Sequence, residues 1–561
     1  MKAMLYKTVM FMASGFVAVS AMAQNLDPTV VVDRAYEGKL IEVHKPLLEM
    51  VVPDSVYRFD LDFDYSVFEN PYKGSYEFQP YLLSMKPSAS LDAQKKFYLR
   101  AGAGYSLHPE LDLVWSPHLS NESVGVDIYA DHRSFIGKYH SLDNSDGTPW
   151  SGYDLKSRAG ADLTVDWDKT SLEVGAGYYG LAGGRPGWKR SYNAVNASVS
   201  ISSKESPYDS RFHYDVDARY RHAGDVLRDV LPGKATLSEN VIDLDASFGF
   251  ATRGSVMLFD VNADFADYAG KIRADAGQFS VTPRYVYRKG RFIADVGVKV
   301  AKVIDSDGQD AAYSSADKEQ YVYPDIKVDF MILRNALKLN LDVTGGNVLN
   351  SYGSLLDRNH HLDFMSGFNE GRLLDFTVER INASVGFEGR ISSRFSYMIK
   401  AGHASYANAL FDAVVSDPQS VLYAGVGYAS CTETYADVDL MWMSESIMVS
   451  ATARYSSFQG KALSDDSMLL KPAVLTGGVT FEYNWKRRIF AGADCNFSSS
   501  RENSVYKIAS FADLGLYAEY VMSRGFSLWA RGGNLLGMKI CHSPLYAEKG
   551  AYFTLGICLN L

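Results

Sequence analysis

The chain has 561 residues and a net charge of −10, with scattered signs and no basic stripe, which excludes nucleic acid as an expected partner. Its 37 Tyr, 29 Phe and 46 Gly against 17 Pro suit strand faces, interfacial girdles and crowded barrel interiors. Past the N-terminal segment no apolar window of about 18 residues occurs, which excludes a helical inner-membrane protein.

Residues 1–23 read as an export signal peptide. Lys2 and Lys7 supply the positive region, Val9 to Val19 the apolar stretch, and Ala21-Met22-Ala23 a small-residue cleavage motif before Gln24. No Cys sits just after that point, which argues against a lipid anchor. Residues 24–92 are expected to form an extended periplasmic arm, being too short for a large independent domain. The arm opens with Thr29, Val30, Val31 and Val32 and later carries the alternating row Phe59 to Tyr65, with Asp60, Asp62 and Asp64 on one face.

From 93 to 561 the sequence predicts an all-β protein, a transmembrane antiparallel β-barrel with long outer loops and short periplasmic turns. Ile326, Val328, Phe330 and Ile332 alternate with Asp325, Lys327 and Asp329. Past a turn, Leu337, Leu339, Leu341 and Val343 alternate with Lys338, Asn340 and Asp342. A Lys facing lipid at mid-bilayer costs about 2–4 kcal/mol, so the charged rows must face a wet or plugged lumen. Tight turns fall at 167–170, 252–254, 288–291, 333–335, 392–394, 485–488 and 523–525. Long stretches fall near 136–152, 181–190, 223–236, 304–319, 346–376, 406–432, 459–470 and 541–549. A soluble sandwich would not segregate its loops by length in this way. Beginning at Lys96 and closing with Ala551–Leu561, whose Phe553, Leu555, Ile557, Leu559 and Leu561 share one face, the alternation gives about 22 strands. Parity holds if Leu422–Tyr435 belongs to an outer loop; a strand pair there would raise the count to 24. A barrel so wide cannot be filled by its own inward side chains and must be open, plugged or blocked by folded-in loops.

The stretch Phe526 to Gly537, with Asn534-Leu535-Leu536 followed by a loop and the closing strand, resembles the end of TonB-dependent receptors. That resemblance implies a 22-stranded outer-membrane barrel and makes Thr29–Val32 similar to a TonB box. It also implies a folded plug of well over a hundred residues, for which only about 70 residues stand ahead of the barrel. Energised uptake by pulling on a plug is therefore placed in doubt.

Candidate chemistry is sparse. Asp357, His360, His361, Asp363 and Glu370 share one outer loop, and imidazole with carboxylate is the chemistry of divalent-metal sites, but adjacent histidines usually point apart. The Asp60, Asp62, Asp64 row has hard oxygens suited to calcium and reads more simply as a solvated strand face. His108, His118, His132 and His140 occur near Asp131, Asp143 and Asp146 with no nucleophile fixed beside them. No phosphate loop, Cys-x-x-Cys or His-Glu-x-x-His appears. No catalytic, cofactor or metal residue is assigned, and no enzymatic activity is expected. Of four cysteines, Cys495 is placed toward lipid and Cys558 toward the lumen, leaving Cys431 and Cys541 as the pair able to meet. Inward charges such as Asp295 and Lys299 suit either a tuned pore or an ion-pair network in the wall. The expected function is solute uptake or passage through the outer membrane, with its lipid as surroundings and TonB or another envelope protein as a partner of the arm. The alternatives are a non-transporting barrel serving as scaffold or assembly partner, and a rim enzyme.

Overall fold

The alternation of apolar and polar residues closes into a ring. A computed structural model describes residues 96–561, except 141–148, 186–187, 206–211, 229–233, 306–321, 365–373, 417–421, 464–467 and the single positions 106, 122, 253, 335 and 363. The signal, the arm, Thr29–Val32 and the Asp60–Asp64 row lie outside the described residues. The ring is a closed antiparallel barrel of 22 strands. Strand β1 (Phe97–Gly104) seals it by pairing with Tyr552–Asn560, in the register Arg100↔Cys558 and Gly104↔Thr554. The two-residue strand Leu469–Leu470 adds to the sheet outside the ring by pairing with Ala413 and Asp412.

Alternation assigns the two faces as expected. Val296, Val298, Val300, Leu341, Phe481, Phe553, Leu555 and Ile557 are all exposed on the outer surface. The opposite rows carry cross-strand ion pairs inside the barrel. Lys338 lies 3.1 Å from Asp329 and 2.9 Å from Glu388, and Lys400 lies 3.1 Å from Asp342. Asp295 is bound by Arg284 at 2.7 Å, not by Lys299. These charges form a cross-strand ion-pair network on the inner wall. Such a barrel belongs in the outer membrane, where its outward apolar band meets acyl chains.

The tight turns fall where the sequence places them. Two of the longer stretches differ, and one hairpin is shorter than its neighbours. The strands Thr170–Arg185 and Trp188–Ser203 run through 181–190, so that segment is the tip of a tall hairpin, not a long loop. Phe395–Ser416 and Leu422–Met443 are each 22 residues long and pair from Phe395↔Trp442 to Ser416↔Leu422, with one irregularity between Tyr406 and Ala409. The stretch 406–432 is thus the continuation of two strands past the membrane, and the count stays at 22. The third difference is β1 with β2 (Glu110–Trp115), at 8 and 6 residues, much shorter than the 16-residue β3 (Val124–Tyr139) beside them. Above that short hairpin the wall is completed by a bridge from Tyr139 to Lys549. Cys431 and Cys541 sit in separate apolar clusters and are not bonded to one another.

A barrel held in lipid by its outward apolar face makes one prediction about cost. Val296→Arg should destabilise the folded protein by roughly 2–4 kcal/mol in urea unfolding from liposomes. A cost under about 0.5 kcal/mol, ordinary for a water-facing surface change, would contradict the assignment of that face.

Candidate functional site

The lumen-facing rows change character toward the outer rim. Along His213–Arg228 they read Asp215, Asp217, Arg219, Arg221, then Ala223, Asp225 and Leu227. Along Lys234–Thr252 they read Asp245 and Asp243 below, then Val241, Glu239 and Leu237 above. A polar lumen thus becomes apolar, with single acids left in it. What covers this apolar belt is the outer segment between Leu337–Leu349 and Phe376–Ser392, of which residues 350–362, 364, 374 and 375 are described and pack inward.

The loop starts with a single helical turn pair, α1 (Tyr352–Arg358). Ser351 caps it, its side chain accepting from the Ser354 amide at 3.3 Å, and the Asn359 amide donates to the Leu355 carbonyl at 2.9 Å where the helix stops. Tyr352, Leu355, Leu356, Leu362, Phe364 and Leu374 are buried to 1% exposure or less. They form one core with wall residues Tyr192, Ala194, Ala223, Leu227, Leu237, Val241 and Tyr268. Burying a Leu or Phe contributes about 1.5–3 kcal/mol, so this face alone gives the loop ample reason to stay in.

Polar groups fix where it sits. The Arg190 guanidinium, buried with Asp225 and 3.1 Å from it, also donates to the His360 carbonyl at 2.6 Å, to the Tyr352 hydroxyl at 3.2 Å and to the Leu362 carbonyl. The Tyr352 hydroxyl in turn donates to Asp225. Glu239, 1% exposed, accepts from the Gly353 amide at 3.1 Å and from the Tyr268 hydroxyl at 3.0 Å, while that hydroxyl also accepts from the Tyr352 amide at 3.2 Å. Lower down the loop, Tyr179 donates to Asp357 at 3.2 Å. Asp412, on the strand Phe395–Ser416, ties Arg358 (3.3 Å) to Arg501 of the outer loop at 499–510 (3.1 Å). Arg501 then donates to the His542 carbonyl at 2.6 Å, so the last outer loop joins the same roof.

A small pocket lies where this loop meets the tops of β3, Trp150–Asp166 and the 170–203 hairpin. Tyr139, Trp150, Tyr153, Asp154, Arg185, Trp188, His360 and His361 line it, with space for about one water-sized group. Tyr139 and Trp150 stack at 4.3 Å between centroids. Arg185 is sandwiched between the Trp188 and Tyr546 rings at 4.2 and 4.1 Å. His361 packs on Tyr546 at 4.2 Å and on His360 at 4.3 Å. The hydroxyl of Tyr139, the indole N–H groups of Trp150 and Trp188 and Nδ1 of His361 are buried and without a hydrogen-bond partner among the described residues. Three donors of this kind around one pocket suit an acceptor-rich ligand group.

The two histidines are driven apart electrically. Burial opposes charge on His360, but Asp154 at 3.3 Å and the nearby Glu548 outweigh it and raise its pKa above the ordinary 6.5. Burial, followed by the cations His360, Arg185 and Arg190, holds His361 well below that value, so it is neutral.

Of the sequence candidates, the structure brings His360 and His361 together and turns Asp357 away to Tyr179. Asp363 and Glu370 lie outside the described residues. Among the described residues no group of three or more His, Cys, Asp or Glu is arranged to hold a metal ion. His108 is buried against Glu110 at 2.9 Å and stacks on Tyr552 at 4.7 Å. His132 is bonded to Ser157 and Ser134, and His118 lies in the turn 116–123 at the far end of the barrel, so these residues form no common site. Asp143 and Asp146 lie outside the described residues. Sequence reasoning missed Arg190, Asp225 and Glu239, whose signal is a lone charge in a lumen row that has turned apolar.

No protein family matches the chain in sequence, and no curated protein does. Solved structures match the fold. The copper transporter OprC is 10% identical, with a TM-score of 0.63 over 83% of this chain and 80% of its own. The siderophore receptor PirA from Acinetobacter baumannii is 8% identical, with a TM-score of 0.61 over the same shares. The FrpB iron transporter from Neisseria meningitidis is 9% identical, with a TM-score of 0.60 over 84% and 81%. The barrel therefore has the fold of TonB-dependent receptors of the outer membrane.

Two predictions follow from the docked loop. Arg190→Met leaves Asp225 buried and uncompensated, so unfolding free energy should fall by about 3–5 kcal/mol and protease should cut within 350–375. Because His360 has a raised pKa, its attraction to Asp154 is complete below pH 6.5 and is lost as pH rises through that raised value. Cleavage within the loop should therefore quicken from about pH 6 to about pH 9, and His360→Gln should flatten the change.

Proposed function

We propose that this chain is an outer-membrane uptake barrel whose outer lumen is gated by its own loop 350–375. The observation that carries this reading is the loop's attachment through a few buried polar groups of the wall. An apolar face alone would slide; the Arg190, Asp225 and Glu239 contacts define one closed position, and their loss defines an open one. The pocket beside His360 and His361 stands where an arriving solute meets both the loop and the wall. A ligand group that satisfies the donors of Tyr139, Trp150 and Trp188 would compete for the surroundings of His360 and loosen the loop's edge. The structural neighbours named as transporters and receptors of copper, iron and siderophores support solute uptake as the broad role. TonB, acting on the arm at Thr29–Val32, is the proposed source of work for opening, with the loop as the moving part.

The rival role of a non-transporting scaffold gives a different result in one experiment. In planar bilayers the wild-type protein should conduct rarely, and Tyr352→Phe combined with Glu239→Gln should raise the open fraction at least about tenfold, the effect of roughly 1.4 kcal/mol. Conductance equal in the two proteins would rule out gating by this loop, and absence of any channel in both would favour the scaffold.

A further inference from the structure

The barrel's other end carries a second pattern. Of the seven tryptophans, Trp150, Trp188 and Trp529 are buried, and the four exposed ones, Trp115, Trp167, Trp442 and Trp485, all stand at the end with the short turns. Trp115 ends β2, Trp167 follows Trp150–Asp166, Trp442 is next to last in Leu422–Met443, and Trp485 ends Leu475–Trp485. A belt of this kind marks the level of the lipid headgroups. Just beyond it five turns expose only cations, while the turns beside Trp167 and Trp442 expose Asp168 and Glu445. Arg288, Lys289 and Arg291 are exposed on one turn, Lys486, Arg487 and Arg488 on another, and three further turns each expose one arginine.

The turn at Trp485–Arg488 is built at a cost. Lys486 and Arg487 both have left-handed backbones, with φ of 51° and 57°. A hairpin turn with two positive φ values ordinarily takes Asn-Gly, and a long side chain at either place is strained. The turn is held by the Arg487 amide donating to the Asn484 side chain at 2.8 Å and the Arg488 amide donating to the Trp485 carbonyl at 2.9 Å. Lys486 Nζ lies 5.5 Å over the Trp485 ring. Lys486 is thereby held against an interfacial indole, with Arg487 and Arg488 exposed on the same turn, where cheaper residues would close it.

We propose that this rim binds the anionic headgroups of the periplasmic leaflet, with the Lys486-Arg487-Arg488 turn as its strongest phosphate site. Cations recur on turns spread along the barrel from 288 to 524, and they sit at the level of a tryptophan belt. A lipid leaflet meets such a rim on every side, whereas an acidic protein would touch one sector. Each cation near an anionic surface adds to the attraction, so a triplet is enough to enrich phosphatidylglycerol over a zwitterionic lipid.

The test uses the full-length protein in nanodiscs of equal phosphatidylglycerol and phosphatidylethanolamine, with retained lipids counted by native mass spectrometry. Wild type should retain phosphatidylglycerol in excess, and the excess should shrink as salt rises. The variant K486N/R487G/R488Q keeps a favourable turn sequence, so it should fold at least as well by circular dichroism and heat-modified gel mobility. Its phosphatidylglycerol excess should fall at least about fivefold. Equal retention in variant and wild type would overturn the proposal. So would polyglutamate binding at the triplet with no lipid preference, which would assign the rim to an acidic protein.

Discussion

The outer half of this molecule depends on one buried ion pair. Arg190 and Asp225 face each other from adjacent strands at 3.1 Å, out of contact with water. An isolated pair in such a place is a poor source of stability, because desolvation offsets its attraction. Here each partner has further bonds to the loop. Arg190 reaches two carbonyls and a hydroxyl, and Asp225 accepts that same hydroxyl from Tyr352. The Arg190 guanidinium and Asp225 Oδ2 therefore gain these partners only when the loop is docked, and the wall itself selects the docked position.

The division of labour is physical. Six apolar side chains of the loop supply attraction without direction, and at about 1.5–3 kcal/mol each they outweigh any single hydrogen bond. The polar contacts supply register, because an unmade bond to a buried charge costs more than the bond contributes when made. Together they hold the segment against the inner wall of a lumen too wide for wall side chains to fill. Glu239 repeats the device one strand further on, holding the amide of Gly353 at the start of α1.

Much of this was legible in the sequence. Two-residue alternation gave the wall, the faces and the count of 22, and the Lys338 and Asp342 rows were rightly put inside. Segment lengths misled where strands outran the membrane: the stretches 181–190 and 406–432 read as loops, yet ladder pairing continues to Arg185↔Trp188 and to Ser416↔Leu422. The site was half visible. His360 and His361 stood out by residue type, while Arg190, Asp225 and Glu239 did not, because a charge in a lumen row looks ordinary until the neighbouring lumen positions are seen to be Ala, Leu and Val. Which outer loop would turn inward depends on packing between segments more than 100 residues apart, which periodicity does not encode.

An uptake barrel closed by a loop needs the closed state to be stable yet conditional, and a polar attachment inside an apolar belt has both properties. The most direct measure is hydrogen exchange at the amides of Tyr352 and Gly353 in the bilayer-embedded protein, the two donors held by Tyr268 and Glu239. The account predicts exchange slowed by orders of magnitude against the free-peptide rate, as for amides inside the wall strands. Exchange at the free-peptide rate would mean that the loop does not occupy the lumen, and the account would be wrong.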